Sequence, residues 1–325
     1  MKVQAIRFEQ TGDASVLRYG DTDIPDQPGP GEVRLRHVAV GVNFIDTYHR
    51  SGLYAVPLPS GIGQEAAGVV EALGEGVTEF KVGDRVAYAG GPIGSYSSHR
   101  NIAAARLVPV PDAVPDEVAA GTLLRGMTAQ YLLKRTFKVE PGMTVLIHAA
   151  AGGVGQIATQ WARTLGARVI GTVGSAAKAR LVAPFCDHVI DYTQGSFAEQ
   201  VRALTDGKGV PVVYDGVGKA TFEGSLDSLA PRGMLVSFGN ASGAVPPFSP
   251  GILSQKGSLF LTRPTLGHYT ATREELLATA ADYFSVVANG AVKAEVHQRY
   301  ALADAAKAHR DLEGRQTTGS IVLLP

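Results

Sequence analysis

Residues 144–155 read TVLIHAAAGGVG, and this stretch decides the fold. Thr144–Ala149 is an apolar run of the kind that forms a fully buried parallel strand. Three glycines follow it, and apolar residues then recur at helical spacing as far as Leu165. A glycine-rich turn between a buried strand and a helix predicts a dinucleotide site, because the helix N-terminus offers N–H groups and a positive dipole end to a pyrophosphate.

The glycines of this turn have different expected tasks. Gly152 lets the backbone approach the cofactor, and Gly155 lets the helix pack closely on the strand. Ala150 stands where the G-x-G-x-x-G pattern has its first glycine. A tight strand–helix turn without a ligand is therefore the alternative, and the strand–helix units that follow in the sequence favour the binding site.

Strand and helix patterns alternate downstream of the turn. The predicted strands are Arg168–Val173, Val189–Ile190, Val210–Tyr214, Met234–Phe238 and Ser258–Thr262. The predicted helices are Ala176–Ala183, Phe197–Leu204 and Ala220–Leu229. Repeated units of this kind predict an α/β fold with a doubly wound, mostly parallel sheet of the Rossmann type.

The first third of the chain is β-rich. Its predicted strands are Val3–Phe8, Glu32–Ala39, Gly68–Leu73 and Arg85–Tyr88, with helices over Pro115–Arg125 and Thr128–Arg135. Short strands separated by turns favour a compact barrel or sandwich. The tail, with a helix over Arg273–Ala288 and strands over Val296–Tyr300 and Ser320–Leu324, is expected to return to it. We therefore predict a β-rich domain of residues 1–125 and 268–325, and a nucleotide domain of residues 126–267.

Composition excludes several classes of protein. The 325 residues carry 30 basic and 30 acidic side chains, so neither nucleic acid nor an anionic membrane is an expected partner. The single cysteine, Cys186, permits no intramolecular disulfide and fits a cytoplasmic location. The N-terminus has no long apolar core of a secretory signal, and no apolar stretch has the length of a membrane span.

The second strand of the nucleotide domain predicts which dinucleotide binds. NAD-specific sites place an acidic residue there, on the ribose 2′-hydroxyl. Residues 171–178 read GTVGSAAK and contain no acid, while Ser175 can donate a hydrogen bond and Lys178 can supply a positive charge. The sequence therefore predicts NADPH as the cofactor. The alternative is that Lys178 is an ordinary exposed helix lysine.

Six motifs together carry a family resemblance. They are GVNFIDTY at 41–48, GQEAAG at 63–68, GDRV at 83–86, HAAAGGVG at 148–155, VYDGVG at 213–218 and SFGN at 237–240. On these motifs the chain resembles the medium-chain dehydrogenase/reductase superfamily, and within it the zinc-free NADPH:quinone oxidoreductase (zeta-crystallin-like) branch that includes bacterial enzymes. The resemblance implies a GroES-like β-rich domain and NADPH-dependent reduction of quinones, with the nicotinamide in the cleft between the domains.

No metal is expected. Zinc-dependent members of the superfamily bind their catalytic metal through a cysteine and a histidine, at places that here hold Asn43 and Gln64. An amide is a poor zinc ligand beside a thiolate or an imidazole. The histidines show no metal-binding spacing; His37 with His49, or His297 with His309, could meet in space, but surface or packing roles are expected.

The resemblance also implies site residues. Those expected to bind the cofactor are Phe44, Ile45, Thr47, Tyr131, Gly152, Gly153, Val154, Gly155, Gly174, Ser175, Lys178, Tyr192, Gly216, Phe238, Gly239, Asn240, Arg263 and Arg315. Those expected at the reacting end are Asn43, Asp46, Tyr48, Tyr54 and Gln64. An amide N–H or a phenol O–H can donate to a quinone oxygen as it gains negative charge.

Several alternatives stay open at this point. Tyr54 could instead only cap a loop, and Glu65 could be a buried acceptor rather than a chemical group. Gly216 replaces a serine common in close relatives, so any side-chain hydrogen bond there is lost. The same fold and cofactor would suit a reductase of activated C=C bonds, or a non-catalytic NADPH-binding protein. The resemblance implies a homodimer formed through the sheet edge near Ser258–Thr262.

Overall fold

The computed structural model describes residues 1–325, and the backbone forms two compact units. The β-rich unit comprises Met1–Leu124, Thr270–Ala288 and Ala294–Pro325, and the nucleotide unit comprises Arg125–Tyr269 and Asn289–Lys293. The predicted domain boundaries, between residues 125 and 126 and between residues 267 and 268, stay a prediction. No helix combines the length and the apolar character that crossing a bilayer requires.

The chain contains sixteen strands and ten α-helices. The strands are β1 (Lys2–Phe8), β2 (Arg18–Asp23), β3 (Glu32–Gly41), β4 (Ser60–Gly61), β5 (Glu65–Leu73), β6 (Arg85–Ala89), β7 (His99–Ala103), β8 (Val108–Pro109), β9 (Thr144–Ile147), β10 (Arg168–Val173), β11 (His188–Asp191), β12 (Val210–Asp215), β13 (Leu229–Ser237), β14 (Phe260–Thr262), β15 (Val296–Ala301) and β16 (Ser320–Leu324). The helices are α1 (Phe44–Ser51), α2 (Asp116–Tyr131), α3 (Gly153–Thr164), α4 (Ala176–Val182), α5 (Phe197–Leu204), α6 (Phe222–Asp227), α7 (Gly251–Gln255), α8 (Leu266–Tyr269), α9 (Arg273–Ala288) and α10 (Ala305–Glu313).

The nucleotide unit is built on a six-stranded sheet in the order β11-β10-β9-β12-β13-β14. Every neighbouring pair in it is parallel. The chain order reverses between β9 and β12, as in the doubly wound nucleotide folds, where ligands bind beyond the carboxyl ends of the strands at this switch point. The predicted Rossmann-type sheet is confirmed.

The β-rich unit holds a seven-stranded sheet in the order β15-β16-β3-β5-β6-β8, with β7 paired to β3, and a three-stranded sheet in the order β2-β1-β4. Alternate residues of β3 are buried, as its sequence pattern predicts. The expected β-rich domain is confirmed.

Each unit has its own hydrophobic core. In the β-rich unit, side chains of β1, β3, β5 and β6 meet those of α10. In the nucleotide unit, the central strands pack against α5 and α6. Leu146 on β9 is completely buried there, as the apolar run before the glycine turn predicts, and Val213 on β12 is completely buried beside it.

Some predicted elements differ from the structure. The two helices predicted on either side of Gly126 form the single helix α2, followed by a π-helical turn over Leu132–Thr136. Glycine disfavours a helix interior, but Leu123 and Met127 are both completely buried, and their packing outweighs that local preference. Helix α6 is shorter than predicted and β13 begins earlier, at Leu229.

Core packing in the nucleotide unit yields a stability prediction. Leu146→Ala removes buried methyl groups at a completely buried site. It should lower the free energy of unfolding by about 2–5 kcal/mol. Urea denaturation followed by fluorescence measures this directly, because the only tryptophan, Trp161, lies on α3 of the same unit. Leu204→Ala on α5 is the matched control, since that side chain is 40% exposed and its loss should cost at most about 0.5 kcal/mol. Equal losses in both variants would contradict this account of the core.

Candidate functional site

One edge of the parallel sheet gathers most of the predicted cofactor residues. They follow the carboxyl ends of six strands: Gly152–Gly155 after β9, Gly174, Ser175 and Lys178 after β10, Tyr192 after β11, Gly216 after β12, Phe238–Asn240 after β13, and Arg263 after β14. Residues that are up to about a third of the chain apart in sequence therefore meet at one edge because the strands are parallel.

The glycine turn forms the start of α3. Gly152 is the N-terminal cap, and the Gln156 N–H donates to its carbonyl, so the N–H groups of residues 153–155 precede the first helical bond. A Cβ on Gly155 would lie 2.8 Å from Ala150 Cα, which explains why only glycine fits there. Ala149, at φ 50°, is in the left-handed region that glycine favours, so the turn keeps a tight bend without the first glycine of the pattern.

Gly153 makes room for a side chain that the sequence patterns did not single out. A Cβ there would lie 2.9 Å from Arg125 Cζ, so the guanidinium of Arg125 lies against the first residue of α3. Arg125 is only 5% exposed. Its signal in the sequence is a lone basic residue in an otherwise apolar helical segment. This cation adds to the positive potential at the helix start.

The loop after β10 has the features expected for a 2′-phosphate. Ser175 caps α4 by accepting from the Lys178 N–H at 3.3 Å, and both side chains are half-buried. A Cβ on Gly174 would lie 2.8 Å from Tyr192 Cζ, so the missing side chain lets the tyrosine approach the loop. The loop contains no carboxylate.

The ends of β12, β13 and β14 also lie close together. A Cβ on Gly216 would lie 2.9 Å from Phe238 Cζ, so a serine at this place would collide with the ring. Gly239 packs against the Gly216 backbone, and Arg263 Nη1 donates to the Ser237 carbonyl at 3.1 Å. Gly216 therefore permits a phenylalanine packing that the serine would disturb.

A buried polar network ties three of these strand ends together. Ser225 Oγ donates to Asp215 Oδ2 at 2.8 Å, so it accepts from His148 Nε2 at 3.0 Å. The other ring nitrogen, Nδ1, accepts from Thr172 Oγ1 at 2.8 Å. Burial lowers the pKa of His148, which fits this neutral tautomer. Asp215 also accepts from the N–H groups of residues 217 and 218, so the network holds the loop after β12.

Tyr131 is part of an aromatic stack in the nucleotide unit. Its ring is 4.4 Å from that of Tyr269 at an interplanar angle of 11°, and the Arg135 guanidinium lies over the Tyr269 ring. Burial raises the pKa of Tyr131. The phenol therefore stays protonated and can act as a hydrogen-bond donor.

In the β-rich unit, the residues predicted at the reacting end of the site lie on and around α1. The Asn43 N–H donates to Asp46 Oδ2 at 2.8 Å at the start of the helix. Asn43 Nδ2 donates to Glu65 Oε2 at 2.7 Å, and Glu65 Oε1 accepts from the Leu124 N–H at 2.6 Å. Glu65 and Asp46 are completely buried. The geometry of Glu65 is that of a buried acceptor.

Aromatic side chains form a cluster on α1 and the following loop. The Tyr48 and Tyr54 rings meet edge to face at 5.3 Å, and the Phe44 ring lies 6.2 Å from Tyr48. The His49 ring lies 6.0 Å from the Tyr54 ring, and both nitrogens of the His49 ring are 3.5 Å from Gln64 Nε2. Burial lowers the pKa of His49. Sequence reasoning did not place this histidine in the site, because helix α1 was not predicted.

The remaining predicted residues have simpler surroundings. Ile45 is half-buried on α1, and Thr47 Oγ1 donates to the Phe44 carbonyl at 2.7 Å. Arg315 lies just beyond α10, in the β-rich unit, at φ 58°. None of these positions by itself indicates a contact with a ligand.

The donor set for a metal is poor. No group of three or more histidine, cysteine, aspartate or glutamate side chains is placed to hold an ion. One histidine of each pair considered as a possible metal ligand has other partners: His37 contacts Tyr88, and His309 contacts Arg50 and Tyr96. The absence of a metal stays a prediction.

Comparison with known proteins agrees with the fold. The family model for the alcohol dehydrogenase GroES-like domain matches residues 29–112, which include Asn43 and Gln64. The family model for zinc-binding dehydrogenase matches residues 153–282. The chain is 56% identical over 322 residues to the quinone oxidoreductase of Pseudomonas aeruginosa, covering 98% of this chain and 99% of that one.

Two further relatives are informative. The crystal structure of Escherichia coli quinone oxidoreductase complexed with NADPH superposes with a TM-score of 0.97 at 48% identity, covering 99% of this chain and 100% of that one. The 2-haloacrylate reductase of a Burkholderia species is 51% identical over 307 residues, 92% of each chain. On its near full-length identity to such proteins, the chain belongs to the quinone oxidoreductase family of the medium-chain dehydrogenase/reductase superfamily.

Proposed function

We propose that this protein oxidises NADPH and reduces quinones, without a metal. The observation that carries the proposal is the identity of 56% over almost the whole chain to a quinone oxidoreductase. The cofactor proposal has separate support from the site itself, where the loop that would meet the ribose has a lysine and no acid. A relative at 48% identity has been solved with NADPH bound.

The residues of the nucleotide unit fit this cofactor. The start of α3 offers N–H groups and a dipole to a pyrophosphate, with Arg125 beside Gly153. Gly174, Ser175 and Lys178 would hold the 2′-phosphate, and Tyr192 would pack near the adenine ribose. Gly216, Phe238–Asn240 and Arg263 would line the neighbouring strand ends. When bound, the nicotinamide supplies the hydride, and the protein supplies position and electrostatics.

The α1 region would serve the electron acceptor. Tyr48, Tyr54 and Gln64 carry O–H or N–H donors suited to a quinone oxygen that gains negative charge. The Asn43 N–H is hydrogen-bonded to the Asp46 carboxylate, and we propose that the two residues fix the start of α1. A quinol is a weak acid, so water can supply the proton and no strong general acid is required.

A second candidate function is reduction of an activated C=C bond. A relative at 51% identity is named 2-haloacrylate reductase. Carbon must be protonated in that reaction, so a tyrosine close to the acceptor would become a necessary proton donor. Tyr48 and Tyr54 are the available phenols in the cluster on α1.

Location and assembly complete the proposal. The single cysteine, Cys186, permits no intramolecular disulfide, which suits a reducing compartment, and we propose the cytoplasm. We also propose a homodimer formed through β14, which is the edge strand of its sheet and exposes 58% of Phe260.

The first prediction from this proposal concerns cofactor choice. Ser175→Asp keeps a good helix cap but introduces a carboxylate that repels a 2′-phosphate. The dissociation constant for NADPH should rise about tenfold or more, while that for NADH stays the same or falls. Ser196→Asp is the matched control, because Ser196 caps α5 with the same geometry. If both variants change NADPH binding equally, or neither does, the proposed phosphate loop is wrong.

The second prediction concerns the acceptor. NADPH oxidation should be faster with ortho- and para-quinones than with 2-haloacrylates, as measured by NADPH absorbance. Tyr48→Phe and Tyr54→Phe should lower kcat/KM for quinones by less than about tenfold, because they remove one hydrogen bond each. A much larger loss that is confined to C=C substrates would favour the second function. NADPH binding without oxidation by any acceptor would indicate a non-catalytic protein.

The third prediction concerns the dimer. Light scattering should give a dimer mass for the protein, and Phe260→Lys should give a monomer, because a lysine on an exposed edge strand opposes pairing with a second copy. A monomer mass for the unaltered protein would contradict the proposed assembly.

A further inference from the structure

A buried histidine on α10 is not used by the proposed chemistry. His309 is completely buried in the β-rich unit. Arg50 Nη1 lies 3.1 Å from its Nδ1, and Tyr96 Oη lies 3.0 Å from its Nε2. Both ring nitrogens therefore have partners, and the partners determine which nitrogen carries the proton.

Only one tautomer satisfies these contacts. A guanidinium can only donate, so Nδ1 of His309 must accept from Arg50. The proton therefore resides on Nε2, which donates to Tyr96 Oη. Burial and the neighbouring Arg50 charge lower the pKa of His309 to about 3, so the ring is neutral at physiological pH.

The hydrogen bonds continue in one direction to the start of α1. Since Tyr96 Oη accepts from His309, its own proton is available for Asp46 Oδ2, 3.0 Å away. The same carboxylate oxygen accepts from the Asn43 N–H at 2.8 Å. Asp46 is thus held from two sides, by the backbone that begins α1 and by the chain of donors that begins at Arg50.

The other end of α1 is fixed to the same helix, α10. Arg50 donates to Glu313 through two hydrogen bonds, of 2.9 and 2.7 Å, and its Nε donates to the Gly12 carbonyl at 3.1 Å. The Arg50 side chain is only 3% exposed. A two-point ion pair of a buried guanidinium has a defined geometry, so it orients the whole series.

We propose that His309 and Tyr96 are positioning residues for the acceptor end of the site. They hold Asp46, and with it the first turn of α1, so that Tyr48, two residues later, is presented to the quinone. This inference rests on the proposed function, since it concerns residues that would serve the same reaction. Neither His309 nor Tyr96 is proposed to touch the substrate.

A second buried tyrosine–histidine pair provides a matched control. Tyr88 Oη lies 3.1 Å from His37 Nε2 and accepts from Arg100 Nη1 at 3.2 Å. Tyr88 is completely buried in the same unit, and burial lowers the pKa of His37 to about 3. This pair lies on β3 and β6 and bonds to no residue of α1. Tyr88→Phe removes the same chemical group from the same kind of environment.

The test compares five variants: Tyr96→Phe, His309→Phe, the double variant of these two, His309→Gln and Tyr88→Phe. For each, kcat and KM for a quinone, the dissociation constant for NADPH, the melting temperature and hydrogen exchange of the α1 amides are measured. Tyr96→Phe and His309→Phe should each lower kcat/KM about threefold, no more than Tyr48→Phe does, with the double variant no worse than the worse single one. NADPH affinity should change by less than about twofold, because the glycine turn is intact.

The control and the rescue decide between positioning and general stability. Tyr88→Phe should lower the melting temperature similarly but leave kcat/KM and α1 exchange unchanged. His309→Gln should recover part of the activity, since an amide can accept from Arg50 and donate to Tyr96. Equal effects of Tyr88→Phe and Tyr96→Phe on kcat/KM, or no effect of either, would overturn the inference.

Hydrogen exchange keeps the inference separable from the proposed function. Faster exchange at the start of α1 in Tyr96→Phe, but not in Tyr88→Phe, supports the positioning role even if the unaltered protein reduces no quinone. Unchanged exchange in Tyr96→Phe would overturn it whatever the activity. If the unaltered protein reduces no quinone but α1 exchanges faster in Tyr96→Phe alone, the result counts against the proposed function and not against the positioning role.

Discussion

The Glu65 carboxylate is the contact on which the acceptor end of this protein depends. It is completely buried, and it accepts from the Asn43 side chain and from the Leu124 N–H. A carboxylate buried without such donors would destabilise the fold by several kcal/mol. Its oxygens therefore fix the segment that begins α1 to the middle of α2. The same contact occupies the side-chain nitrogen of Asn43.

The nucleotide unit obeys a different constraint, which is the parallel direction of its strands. Because all six strands end at one edge, the short loops there bring together a helix dipole, a lysine and an aromatic ring that are far apart in the sequence. His148, which follows β9, hydrogen-bonds Thr172 on β10 and Ser225 on α6. Ser225 donates to Asp215 at the end of β12, and Asp215 extends the network to the next loop. A polar network of this kind gives the edge a defined shape before a cofactor arrives.

Much of this arrangement was predictable from the sequence, for physical reasons that also mark the limit. The run Thr144–Ile147 and the glycines after it predict the central strand and the helix, since burial on both faces leaves a clear apolar pattern. Helix α1 and helix α10 were missed, because each is only eight or nine residues long, shorter than the window of about 11–18 residues over which a helical pattern is recognised. Contacts such as those of Arg125 with Gly153, or His309 with Tyr96, depend on tertiary packing between residues distant in the sequence, and no local pattern encodes them.

The most direct test of the central claim is the dependence of quinone reduction on metal. The protein would be dialysed against a strong chelator, its zinc content measured, and the rate of NADPH oxidation by a quinone compared before and after. The account predicts the same rate at negligible zinc content, because Asn43 and Gln64 have amide side chains in hydrogen bonds to the protein. Loss of the rate on chelation, with recovery when zinc is added back, would contradict it.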